Sequence, residues 1–508
     1  MESLWRDADA ARFAGPLGPR VYTSRLLGGD PALVLYGGGN TSLKLRERGA
    51  GGAPRDVLYV KGTGSDLARV DAGDFTPLAL DAACALLDGE SLSNPAMYRA
   101  LERAALRPGA PRPSIETLLH AALPFPYVDH THADSVLALA NCARSDAVIE
   151  EVYGELAPAV PYRHSGFALA QACRDVQAQR GTPRTIGLIL QYHGVVAFGQ
   201  TARESYENLL RLVTLAEDYL KARGAWELDR AGDAAAPADR LEVAELRAAA
   251  SRAAGFPLVL RLVRDPVVMA FCRRGDLADV ARQGPATPQH AIFTRRVPLL
   301  GRDVARFVAE YRAYLRASLP ADAASRLDAS PRVVLDPELG MAALGVTARH
   351  AVMAAKVYQH DIEIISRACA HDAYRAAPAA AIAEAELEYG GFEAQVRRQV
   401  DTGQPLLGQV ALVTPAAARR DPGLVPRLLA QGCAVAAPAA EPKRADDDPA
   451  RLEFDPARPP DAVLARIAAA FGGIDQLHAE AADAGWREVC APLLARSPVA
   501  AAAPVSPS

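Results

Sequence analysis

The stretch VDHTHADSVLAL, residues 128–139, carries His130 and His132 separated by a single residue, with apolar positions before and after. Read as a strand, it has a side-chain period of two, which puts both imidazoles on one face. Two neutral imidazoles a few Å apart can chelate a divalent metal, and a third from another segment completes an open three-histidine site. The candidate third is His193 in QYHGVVAFG (191–199), where the adjacent Gly194 lets backbone come close. An open coordination position is what makes such a metal catalytic. Spacing alone leaves the bland reading open. A lone His-x-His is a weak sign of metal, and an isolated His193 is more often an ordinary buried or turn residue.

The neighbouring segments add anion-binding features. LVLYGGGNTSLKL (33–45) and DVLYVKG (56–62) read as strands ending in glycine turns, so YGGGNTSLK (36–44) and KGTGSDL (61–67) are loops rich in glycine and small polar residues. Such loops expose consecutive N–H groups and can cradle a phosphate or carboxylate. Neither is a dinucleotide fingerprint or a P-loop, and each taken singly is more often a turn. PSIETLLHAAL (113–123) predicts a helix with Ser114 as its N-cap, a third anion-friendly position. Glu116 follows two residues into that helix, with His120 one turn on. A carboxylate beside a metal can move a proton, although the helix dipole alone also favours Glu in a first turn.

Helical spacing marks 76–89 and 204–222, and 187–199 reads as a strand. Strands and helices mixed without strict alternation suggest an α+β or mixed-sheet domain. DRAGDAAAPADR (229–240) reads as a linker. Beyond it, helical stretches at 303–319 and 348–368 surround the strand-like PLVLRLV and PRVVLD. GQVALVT (408–414) then reads as a buried strand, and 462–477 as a helix running into another. The tail, 496–508, is expected to be disordered. A length of 508 residues suggests about three compact units.

Composition excludes several classes. Lys+Arg 56 against Asp+Glu 60 gives a net charge of −4, which rules out gripping nucleic acid by bulk electrostatics. Seven dispersed cysteines favour reduced thiols over a disulfide framework. No secretory h-region and no run near the roughly 20 apolar residues of a membrane span is found, so a cytoplasmic protein without membrane partners is expected.

GGGNTS (37–42), KGTGSDL (61–67), RPSIETLLHAALP (112–124), VDHTHADSVLAL and QYHGVVAFG occur together and in this order. With the TARESYENLLRLVTLAE segment that follows, residues from about 20 to 222 closely resemble the class II aldolase/adducin family. That family covers fuculose- and rhamnulose-phosphate aldolases, ribulose-phosphate 4-epimerases and non-catalytic adducin heads. The resemblance implies an α/β fold whose N-terminal part is a mixed β-sheet flanked by helices. It implies that His130, His132 and His193 hold a divalent metal, usually zinc, though three imidazoles also suit manganese, iron or nickel. It implies that Glu116 moves a proton, and that Gly39, Asn40, Thr63, Gly64 and Ser114 hold a substrate phosphate. The implied reaction is aldol cleavage of a phosphorylated ketose such as rhamnulose 1-phosphate through a metal-stabilised enediolate, with no Schiff-base lysine. Products would be dihydroxyacetone phosphate and an aldehyde. A sugar-phosphate epimerase and an adducin-like interaction module are the alternatives. The family's aldolases also use a tyrosine, which no motif places among Tyr153, Tyr162 and Tyr206. His120 and His164 are left as structural. A homo-oligomer, a tetramer by resemblance, is expected.

The whole chain looks like a longer subfamily, in which an aldolase domain precedes a middle region and a short-chain dehydrogenase. On that reading residues 1–228 form the aldolase-like domain, 241–403 an α/β middle domain, and 404–495 a partial Rossmann-like remnant. GPATPQH (284–290), PRVVLDPELG (331–340) and YQHDIEII (358–365) fit the middle region. GQVALVT matches the first dehydrogenase strand, but PAAARRD (415–421) follows where a glycine turn must let backbone reach the cofactor pyrophosphate. AEAA (479–482) stands for the usual Asn-Asn-Ala-Gly, and no Tyr-x-x-x-Lys pair follows. A degenerate dehydrogenase without NAD is expected.

Overall fold

Apolar alternation in NTSLKLRER and PRDVLYVK produces two antiparallel strands, β1 (Asn40–Arg48) and β2 (Pro54–Lys61), with Leu45 opposite Val57. They belong to a seven-stranded mixed sheet, completed by β3 (Phe75–Ala79), β4 (Tyr127–Thr131), β5 (Ala159–Val160), β6 (Gly187–Leu190) and β7 (Gly194–Gly199). The order is β3-β2-β1-β4-β7-β6-β5, with only the β5–β6 pair parallel. β7, GVVAFG, is buried along its whole length, as expected of a strand covered on both faces. On one side Leu118, Leu119 and Phe167, from helices Thr117–Ala122 and Phe167–Arg180, bury against Val60, Val128, Val196 and Phe198. Each such side chain contributes roughly 1.5–3 kcal/mol. The helix Ala202–Ala222 packs against β4 and β7.

The computed structural model describes residues 1–48, 52–232, 238–388, 403–439 and 448–499. Residues 233–237 of the expected linker and 500–508 of the expected tail lie outside them. The chain divides into two compact units, Met1–Leu228 with Glu363–Ala377, and Asp229–Ile362 with Pro378–Ser508. The 404–495 segment therefore shares a unit with most of 241–403, and 363–377 belongs to the first unit.

Each of the two segments in the second unit keeps its own sheet. The first runs β8-β11-β10-β9, from Val259–Val263 (β8), Leu299–Leu300 (β9), Val333–Asp336 (β10) and Gly340–Gly345 (β11). The second runs β14-β13-β12-β15, from Val410–Val413 (β12), Ala434–Pro438 (β13), Arg451–Phe454 (β14) and Gln476–His478 (β15). All pairs in the second sheet are parallel, and its order, third-second-first-fourth, is the start of a doubly wound sheet.

Several local expectations change. Residues 33–39 form no strand: Tyr36 (φ 40°), Gly37 (74°) and Gly39 (60°) are left-handed, so extended chain begins only at Asn40. The 76–89 and 128–139 stretches are each a short strand followed by a helix, Leu80–Asp88 and Asp134–Ala140. The single strand expected at 187–199 is a hairpin that turns at 191–193. The 462–477 stretch is a helix, Pro460–Phe471, ended by left-handed Gly472 and followed by β15 rather than a second helix. Among the described residues no helix is long and apolar enough to cross a membrane.

Candidate metal centre

The three histidines converge at one end of β4. His130 lies on the strand, and His132 lies just past its last residue, Thr131. β7 pairs with β4 so that Val195 faces Thr131, which brings the preceding turn, and His193 with it, beside the other two. Gly194 permits this approach: its φ is 153°, and a Cβ there would stand 2.3 Å from the Thr131 carbonyl oxygen. Tyr192 is left-handed as well, at φ 57°. One ligand atom from each histidine lies within 4.8 Å of the others, and ring centroids are 4.9–5.2 Å apart. His130 Nε2 and His132 Nε2 are 3.1 Å apart.

This donor set fits a divalent cation. All three rings are buried, and His130 Nδ1 sits 3.0 Å from the Val195 carbonyl, to which it can only donate. That fixes the tautomer and leaves the Nε2 lone pair toward the other imidazoles. Burial, only partly offset by the Glu116 charge, lowers the His130 pKa to about 4, which keeps the ring neutral.

Glu116 closes the cluster. It is the N-cap residue of Thr117–Ala122, one residue before the helix rather than two residues inside it. Its Oε1 is 2.8 Å from His193 Nε2, and its Oε2 is 3.6 Å from His130 Nε2. Burial works to raise its pKa, but His130 and His193 outweigh this and hold the carboxyl well below its usual range. Asn40, which faces His130 across the β1–β4 register, donates from Nδ2 to Glu116 Oε2 at 2.5 Å and to Ser114 Oγ at 3.1 Å. Its amide orientation is set from behind. His120 Nε2 contacts Asn40 Oδ1, and His120 Nδ1 lies 2.8 Å from Ser42 Oγ. His120, read as structural from sequence, is thus tied to the cluster through Asn40.

The five expected phosphate residues fall on three loops that meet. Lys61 joins two of them, donating to Gly37 O (3.1 Å) and Ser65 O (2.8 Å). Thr63 joins a third, with its N–H on Arg112 O (2.8 Å) and its hydroxyl on Pro113 O (3.1 Å). Both Thr63 protons are therefore used to position the loops. Gly39 is needed for a close approach, since a Cβ there would meet His130 O at 2.6 Å, whereas Gly64 (φ 87°) is exposed with nothing near. Ser114 is not the helix N-cap; it lies three residues before the helix and accepts the Glu116 N–H at 3.3 Å. The spacing at 113–123 locates the helix but not this turn.

Sequence reading assigned no role to Lys61, Ser42 or the buried Arg20–Asp129 pair. Arg20 Nη2 reaches Asp129 Oδ1 at 2.5 Å, and Ser205 Oγ donates to Asp129 Oδ2 at 2.5 Å, on the strand residue next to His130. Asp129 was visible in the motif, but its partners come from distant segments. Of the three tyrosines, Tyr153 and Tyr206 are buried, and the Tyr206 hydroxyl receives the Leu4 N–H at 3.2 Å. The Tyr162 ring packs edge-on to Tyr192, the neighbour of His193, at 6.1 Å.

Two family models match the chain. The one described as "Class II Aldolase and Adducin N-terminal domain" covers residues 20–220, and "Aldolase class II, second domain" covers 237–395. Among curated proteins, the "uncharacterized oxidoreductase YuxG" of Bacillus subtilis (strain 168) is 28% identical over 395 residues, which is 73% of this chain and 57% of that protein. The match thus spans little more than half of that relative's length. Among solved structures, the N-terminal class II aldolase domain of a conserved protein from Thermoplasma acidophilum is 35% identical. It covers 43% of this chain and 99% of its own, with a TM-score of 0.40. The L-fuculose-1-phosphate aldolase of Thermus thermophilus is 18% identical, covering 40% and 94%, with a TM-score of 0.27.

Proposed function

The chain belongs to the class II aldolase/adducin family, and from that premise we propose that it is a metal-dependent aldolase acting on a phosphorylated ketose. Rhamnulose 1-phosphate is the type of substrate meant, with dihydroxyacetone phosphate and an aldehyde as products. The observation that carries this reading is three buried imidazoles within 4.8 Å, with a carboxylate 2.8 Å from one of them. A non-catalytic interaction module has no need of such a buried cluster.

In this reading His130, His132 and His193 hold the metal, with zinc our choice of cation. A divalent cation there supplies Lewis-acid stabilisation of the negative charge that develops on substrate oxygens. The protein's own groups do the rest. Glu116, ionised, takes and returns the proton at the carbon where the bond breaks. Asn40 holds the Glu116 carboxylate in place, and His120 holds Asn40. Gly39, Asn40, Thr63, Gly64 and Ser114 line the proposed phosphate cradle, Thr63 by joining its loops. Lys61 is bound to two carbonyls and is not asked to form a Schiff base. We further propose a homo-oligomer, cytoplasmic location, and no reaction requiring NAD.

The test has two arms. Purified protein should carry about one divalent metal per chain by elemental analysis, and His130→Ala/His132→Ala should lose it. Ketose 1-phosphates should be cleaved to a triose phosphate and an aldehyde, and Glu116→Ala should lower the rate roughly 10²–10⁴-fold with metal retained. An epimer formed without fragmentation would assign the epimerase reaction instead. A metal-free native protein would remove the assignment altogether.

A further inference from the structure

Thr294-Arg295-Arg296 places two consecutive arginines after the short helix Ala291–Thr294, and the backbone sends them to different surroundings. Arg295 is left-handed at φ 68°, a conformation that side-chain-bearing residues rarely adopt. It is 1% exposed, with its guanidinium 2.8 Å from Asp328 Oδ2 and 3.2 Å from Glu386 Oε2. The Arg295 charge is thus met by two carboxylates. The Arg296 backbone N–H is held too, 3.1 Å from the Tyr311 hydroxyl and 3.2 Å from Glu386 Oε1.

The Arg296 side chain is treated differently. Its guanidinium lies over the Tyr314 ring, 4.9 Å from the centroid, and Nη2 donates to the Arg282 carbonyl at 3.3 Å. Its Nε is buried with no hydrogen-bond partner. Among the described residues no carboxylate pairs with this guanidinium. Arg296 lines a cleft in the second unit, built from residues 282–314 and enclosing about 720 Å³ with the solvent at its mouth included. That is the size range of small-ligand sites.

The rest of the lining defines what fits. Leu299, Phe307 and Tyr311 supply an apolar base. Glu310 is shared by Arg306 at 2.8 Å and Arg282 at 3.9 Å, and Asp303 Oδ1 caps its helix by accepting the Arg306 N–H at 2.9 Å. Arg282, Arg296 and Arg306 against Asp303 and Glu310 leave one positive charge in excess. The unmatched guanidinium is that of Arg296. A planar guanidinium fork, backed by an aromatic face and set beside apolar surface, recognises a carboxylate joined to an apolar body. A phosphate monoester brings close to two negative charges and exceeds the single excess charge.

We propose that this cleft is a binding site for a small organic monocarboxylate with an apolar body, formed without any residue of the histidine centre. The full-length, metal-loaded protein should be titrated calorimetrically with benzoate, phenylacetate and hexanoate, with benzamide and phenyl phosphate as comparators. At least one carboxylate should bind saturably, about tenfold or more tighter than benzamide or phenyl phosphate. Arg296→Gln should weaken carboxylate binding at least tenfold and leave benzamide unchanged. Val297→Trp, which fills the cleft and leaves every arginine in place, should abolish carboxylate binding. Failure of all three carboxylates to bind would overturn the proposal, as would equal binding of benzamide, tighter binding of phenyl phosphate, or unchanged affinity in Arg296→Gln or Val297→Trp.

Discussion

Lys61 sits where the glycine loops meet, only 2% exposed, and burial lowers its pKa to about 8 against the opposing pull of Glu116, Asp66 and Asp74. A neutral amine has two N–H groups, and two carbonyls, Gly37 O and Ser65 O, are there to accept them. In the unfolded chain lysine titrates near 10.4. Between about pH 8 and 10.4 the unfolded chain therefore holds a proton that the folded one lacks, and stability rises with pH by up to about 1.4 kcal/mol per unit. Below that window both states are charged, and above it both are neutral, so the contribution is flat. Lys61→Met should remove the rise; urea denaturation of both proteins at pH 7.5 and 10 checks it, and equal rises would clear Lys61 of the effect. The KGTGSDL motif contains this lysine in plain sight. Its burial follows from loops brought together by the sheet, which no local spacing reports. His120 is a similar case, since its link to Glu116 passes through Asn40, 80 residues away in the chain.

At the scale of elements, the β6–β7 hairpin is the device that completes the centre. QYHGVVAFG shows an apolar run and a glycine, and both survive in the structure as β7 and Gly194. The turn at 191–193 was not visible because GLIL and GVVAFG are both apolar, so the join reads as one long strand. Gly194→Ala would strain a positive φ and drive a Cβ into the Thr131 carbonyl. It should cost more than about 1 kcal/mol of stability. Metal content should fall with it, because His193 is the adjacent residue; denaturation together with elemental analysis reads both, and full metal loading with wild-type stability would contradict the role given to Gly194. The glycine loop at 36–39 went the other way. Its apolar residues suggest a strand before the glycines, yet three left-handed residues make the strand follow them.

At the scale of the molecule, the second sheet of the second unit has the parallel order of a nucleotide-binding fold, but the strand end that should receive a cofactor is closed. A helix, Pro415–Arg420, starts directly after Thr414, whose hydroxyl is 2.5 Å from Asp483 Oδ2 and 3.1 Å from the His478 carbonyl. No glycine lies there to let a pyrophosphate approach the backbone. Titration of the full chain with NAD should show no saturable binding up to millimolar concentration. A dissociation constant in the micromolar range would restore a working dehydrogenase to this segment.

By itself the sequence determined the chemistry available: which histidines and which carboxylate, which loops carry glycine, and which cofactor turn lacks it. These are properties of residue type and short spacing, and they survive any arrangement of the chain. Tertiary structure alone decided how those groups act. It set the Glu116 carboxylate against His193, chose the His130 tautomer through the Val195 carbonyl, and linked His120 to the site through Asn40. It also separated Arg295 from Arg296, which are identical in type and adjacent in sequence, by giving one two buried carboxylates and the other none. Such differences depend on burial and on partners tens to hundreds of residues away, and only the packed sheets bring those within reach.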